Sequence, residues 1–251
     1  MKKAQMIIFV VVGILIVSVI AIYFLLRSDV LSNLGGSGEF DQNGFLDSCM
    51  KDKIREGIDL ILTNGGYTNS TFYVIHDYEN IAYLCHTPYF YTACVNQEPV
   101  LMSHIEDEIK DYIDDDVEIC WNKLTAELGD KGYVVDATYN GFEVNLFPKK
   151  VLVNVNANLV LTKTEETKKI ENFEIIVYTE LHDLATIVWG IIESESRFCY
   201  FDYQGFSLIY PRFYVDQFSR GDLTTIYSVS DKKTQEKFKF AIRGCVIPPG
   251  I

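Results

Sequence analysis

Residues 7–26, IIFVVVGILIVSVIAIYFLL, carry no charge and are interrupted only by Gly13, Ser18 and Tyr23. As a helix this run reaches roughly 30 Å, the thickness of a bilayer's hydrocarbon core, with its backbone polar groups satisfied internally as lipid requires. The pattern therefore predicts a single transmembrane helix. Residues 28–44 are polar and Gly-rich, including Gly35-Gly36-Ser37-Gly38, and are expected to form a flexible linker. The folded part is expected to begin near Phe45, giving three segments: 1–27 cytoplasmic tip and anchor, 28–44 linker and 45–251 domain.

Beyond the linker the period is first helical. Leu46, Cys49, Met50, Ile54, Ile58, Ile61 and Leu62 recur at three- and four-residue intervals before the Asn64-Gly65-Gly66 stop. Residues 67–95 are rich in aromatic and β-branched side chains and predict two strands, with 77–80 as their turn. After Pro99, a stripe of Ile105, Ile109, Tyr112, Ile113, Val117, Cys120 and Leu124 predicts a second helix, with Ser103 and Glu106 spaced as a capping box.

From Tyr133 the period becomes two. Asn140-Gly141 reads as a hairpin turn, Val151, Val153, Val155, Ala157, Leu159 and Leu161 form one face of a long strand, and a polar turn over 163–169 returns the chain through Phe173, Ile175 and Val177. Thr179 is placed to cap a third helix with the stripe Leu181, Leu184, Ala185, Val188, Ile191 and Ile192, which is expected to lie across this sheet. Strand-like runs follow at 206–214, 223–229 and 238–242. The sum is an α+β domain with about three helices and a mostly antiparallel sheet, without βαβ repeats.

Charge orients the anchor. Lys2 and Lys3 precede the apolar run and only Arg27 follows it closely, so the positive-inside rule places the N-terminus in the cytoplasm and the C-terminal domain outside the cell membrane. Beyond Arg27 the chain holds 19 basic and 35 acidic side chains, a net −16 that repels nucleic acid. The expected partners are thus the bilayer, through residues 7–26, and a protein or glycan outside the cell.

All six cysteines lie beyond the anchor, and an even number in an external domain favours disulfides, although six allow 15 connectivities. Cys49 and Cys120 lie on the buried faces of the first two helices and become a plausible bridge if those faces pack together. Cys85 and Cys94 bracket an aromatic segment; Cys199 and Cys245 are the remaining candidates. A bridge between Cys85 and Cys94 would present Tyr89, Phe90 and Tyr91 on a constrained loop, a composition suited to protein or glycan contact, since tyrosine offers large area at low entropy cost. Asn69-Ser70-Thr71 is a glycosylation sequon.

Catalytic chemistry finds little support. None of His76, His86, His104 and His182 sits in H-E-x-x-H, and His104 and Glu108 share a helix face without an evident third metal ligand. Asp114-Asp115-Asp116 with Glu118 lacks the alternating ligands and glycine of a calcium loop and reads as a solvated face. No catalytic residue, metal ligand or cofactor site is assigned.

Lys3-Ala4-Gln5-Met6, immediately before the apolar run, resembles the basic-small-Gln processing site of archaeal class III signal peptides, which implies cleavage between Ala4 and Gln5 by a prepilin peptidase. Pilins usually continue the apolar helix as a long stem, whereas here the glycines at 35, 36 and 38 interrupt it. The overall layout resembles the uncharacterised single-pass membrane proteins common in small-genome archaea: the basic-small-Gln start, an anchor, a first helix with a central Cys and Gly-Gly stop, a second helix ending in a Cys, and a strand-rich half ending in Phe240-Ala241-Ile242-Arg243. That resemblance implies no activity. The function expected is a membrane-anchored cell-envelope protein with a binding or structural role, with a pilin-like filament subunit and an envelope hydrolase of unrecognised site as alternatives.

Overall fold

A computed structural model describes residues 40–164 and 166–247. The chain divides into two compact units, Met1–Asp41 and Gln42–Ile251, and the elements below belong to the second. The apolar run at 7–26, most of the linker and the processing site at Ala4 and Gln5 lie outside the described residues. No helix among the described residues is long and apolar enough to cross a membrane.

Helix α1 spans Gln42–Thr63, so 42–44 are helical, where the polar composition had suggested linker. Gln42 is itself buried, and burial of the helix's stripe outweighs the low helix propensity of Gly44. Its end matches the expected stop: the Gly66 N–H bonds the Ile61 carbonyl at 2.9 Å, and Gly65 and Gly66 take φ of 74° and 92°.

Helix α2 spans Leu101–Asp130 and buries Ile105, Ile109, Ile113, Val117, Cys120, Trp121, Leu124 and Leu128. The capping box is not formed. The helix starts two residues before Ser103, no side chain caps it, and Glu106 Oε1 instead accepts the Leu146 N–H at 2.7 Å. The stripes of α1 and α2 face one another, and Cys49–Cys120 joins the two helices.

Strands β1 (Tyr73–His76) and β2 (Glu79–His86) form a hairpin whose turn is Asp77-Tyr78 alone, both residues at positive φ. A short β3 (Val95–Asn96) pairs with the end of β2. Strands β4 (Val134–Phe147), β5 (Lys150–Lys163) and β6 (Glu166–Tyr178) build a three-stranded antiparallel sheet.

Asn140-Gly141 does not turn the chain: it is an irregularity within β4 where Tyr139 faces Ala157 but Phe142 faces Val155, with Gly141 at φ 89°. The hairpin is made at Pro148-Lys149, with Lys149 at φ 67°, and the next return is tighter than the expected 163–169, since Lys163 already pairs with Glu166 and Thr162 with Thr167. The alternating face of β5 is buried throughout, and Trp121 of α2 meets Phe173 of β6 edge-on at 5.4 Å.

The N-cap of helix α3 (Leu181–Phe198) is Glu180, which makes no side-chain cap bond; Thr179, expected as the cap, stands one residue earlier, where its hydroxyl accepts the Leu181 N–H at 3.1 Å. The helix does not lie mainly on the three-stranded sheet. Its chief sheet contacts are with a second sheet, ordered β1-β2-β9-β8-β7, formed by β7 (Phe213–Ser219), β8 (Thr225–Asp231) and β9 (Lys237–Arg243) with the first hairpin and β3. Residues 206–209 of the expected strand at 206–214 belong instead to a short helix, α4 (Tyr203–Ile209), capped by Asp202. Among the described residues the fold is thus α+β with four helices, two sheets and one parallel strand pair, β2 with β9.

The edges of the second sheet bend toward each other. His76 of β1 stacks on Phe218 of β7 at 4.8 Å, and Arg220 donates to the Ile75 carbonyl. This curl encloses a small core of Val74, Ile81, Ile226 and Ala241, with Tyr83 against it. A polar corner ties the sheets together: Glu236 accepts from Arg55 of α1, from the Thr179 hydroxyl and from the Glu180 N–H, while Arg212 pairs with Glu180, Asp183 and the fully buried Asp231.

Candidate functional site: an aromatic loop between two disulfides

The loop at residues 87–93 hangs from the end of β2 and returns into β3, closed at its base by Cys85–Cys94. Its backbone is also bonded to the end of β9 and the chain that follows it. The Thr87 N–H reaches the Arg243 carbonyl at 2.8 Å, the Tyr91 N–H the Val246 carbonyl at 2.9 Å, and the Cys245 N–H the Thr92 carbonyl at 2.6 Å. Cys199–Cys245 ties that returning segment to the C-terminus of α3. The Arg243 guanidinium donates to the Thr87 carbonyl and lies 5.9 Å from the Phe90 ring centre.

With its backbone occupied in this way, the loop turns its rings outward: Tyr89 is 70%, Phe90 46% and Tyr91 60% exposed. Phe198 and Tyr200, which flank Cys199 in the chain, and Ile247, two residues past Cys245, are also exposed. Below the loop, His86 meets the rings of Phe72 at 4.8 Å and Tyr83 at 5.0 Å. Desolvation, and then the positive charge of Arg243, lower its pKa below the ordinary imidazole value. The result is an aromatic, backbone-constrained surface with the Arg243 guanidinium beside it.

The other sequence candidates fall into separate settings. His104 packs against the Tyr67 ring at 4.3 Å and lies 3.7 Å from Glu98, while Glu108 accepts both the N–H and the hydroxyl of Thr68. His104 and Glu108 therefore serve different neighbours. Among the described residues no group of three His, Cys, Asp or Glu side chains is arranged to hold a metal ion. The acidic residues Asp114 and Asp115 are exposed on α2. His182 and Asp183 border an open groove of about 440 Å³ walled by Ile187, Phe201, Phe206, Tyr210 and Phe213. This groove is aromatic, and Asp183 is engaged by Arg212.

The cysteine content marked the loop, but nothing local in the sequence marked Arg243, Cys245 and Val246 as the residues that hold its backbone. Their proximity follows from the parallel pairing of β2 with β9 and from Cys199–Cys245, both non-local. Comparison with known protein families found no matching family model. Comparison with curated proteins and with solved structures likewise found no match.

Proposed function

We propose that the protein is a membrane-anchored binding protein of the cell envelope, with its N-terminus cytoplasmic, residues 7–26 in the bilayer, and a domain outside that engages a protein or glycan through the loop at 87–93. The observation that carries this reading is the exposure of Tyr89, Phe90 and Tyr91 on a backbone held by one disulfide and by hydrogen bonds to the chain after β9. Large rings on a fixed backbone lose little entropy on binding. The three disulfides accord with an oxidising location, and the apolar run with an anchor.

A photoreactive side chain in place of Tyr89, in the full-length protein in its own membrane, tests this role. It should capture one discrete species, and the same group in place of the equally exposed Tyr178 of β6 should not. Equal, diffuse capture at both positions would contradict a specific contact loop.

A further inference from the structure

We infer that Asn69 is an acceptor for an asparagine-linked oligosaccharide. The segment between α1 and β1 is fastened at alternate residues. Thr68 is held by Glu108, which accepts its N–H at 2.8 Å and its hydroxyl at 2.7 Å, and its carbonyl takes a bond from the Asn64 amide at 3.4 Å. Ser70 is 7% exposed, and its hydroxyl both accepts from the Phe72 N–H and donates to the Phe72 carbonyl at 3.2 Å. Asn69 and Thr71 are left exposed.

These are the two positions of the sequon whose side chains a transferase must read: the amide that becomes the nucleophile and the hydroxyl two residues on. The segment belongs to no helix or strand. A sugar on Asn69 therefore displaces no core side chain and breaks none of the bonds that hold Thr68 and Ser70.

In the transfer, Asn69 Nδ2 forms a C–N bond to the anomeric carbon of a lipid-linked, phosphate-activated oligosaccharide. The anomeric C–O bond breaks, its electron pair leaves on the lipid phosphate, and one amide proton passes to a base of the transferase.

The inference rests on the proposed orientation, since donor and transferase act outside the cytoplasm. A second sequon appended after Ile251 on a short Gly-Ser spacer separates the two ideas. In a glycosylating secretory host the tagged full-length chain should show two mobility steps, both removed by peptide-N-glycosidase. Asn69→Gln and Thr71→Ala should each leave one step, with an unchanged melting temperature. A glycan on the appended sequon alone overturns the assignment of Asn69 and leaves the orientation standing. No glycan on either overturns both.

Discussion

Gly244 stands where the aromatic end is most tightly closed. A methyl group there would lie 2.9 Å from both the Cβ and the backbone nitrogen of Cys94, at the base of the loop. Gly244→Ala should cost about 1–3 kcal/mol, because neither contact is with a flexible side-chain end. Gly129 in α2 has nothing within 4 Å, so Gly129→Ala should instead stabilise by about 0.5–1 kcal/mol. Urea unfolding midpoints at constant slope distinguish the two outcomes.

Asp231 supplies a second residue-scale test. Its burial would raise the carboxyl pKa, but the N–H groups of Thr234 and Lys233, with Arg212, outweigh that and hold it below its ordinary value of 3.8. Removing it leaves two turn N–H groups without their acceptor and takes one of three carboxylates from Arg212, so Asp231→Ala should cost about 1–3 kcal/mol. The stabilisation is present above pH 3.8 and is lost as pH falls toward the depressed folded value.

His86 acts in a higher window. Its folded pKa lies below 6.5, so below that pH the unfolded chain binds the proton more readily and stability falls as pH falls. His86→Phe should flatten that first decline and leave the Asp231 limb unchanged, as read from melting temperatures against pH.

Among the elements, the three disulfides should not contribute equally. Cys49–Cys120 closes a separation of 71 residues and Cys85–Cys94 one of 9. On the chain-entropy account, serine pairs at these sites should cost about 4 and about 3 kcal/mol respectively. Calorimetry of the two double variants should rank them in that order.

Elements whose burial repeats in sequence were readable: the stripes of α1, α2 and α3, the alternating face of β5 and the alternation of Phe238, Phe240 and Ile242 in β9. Elements decided by tertiary context were not. Asn140-Gly141 has hairpin chemistry but lies inside a strand whose partner β5 continues past it, so pairing with β5 overrides the local preference. Phe206 and Tyr210 look like strand residues, yet Phe206 lies on α4 and Tyr210 caps its end, their rings meeting at a tilt with centres 4.8 Å apart. The aromatic loop was legible as composition between two cysteines, while its fastening to the chain after β9 depends on pairing across about 150 residues and leaves no local trace.

Over the whole domain, α1 joins the first described residues to the strand that carries the aromatic loop. Gln42 begins α1, a helix of 22 residues or about 33 Å, and Asn64, just past its far end, bonds Ala82 of β2, the strand from which the loop hangs. This account requires an oxidised domain on the outer side of the membrane. The most direct measurement is non-reducing peptide mapping of the protein, with thiols trapped by alkylation in intact cells of its native source. The account requires the linked pairs Cys49–Cys120, Cys85–Cys94 and Cys199–Cys245. Six alkylated thiols would contradict both the closed loop and the orientation proposed for it.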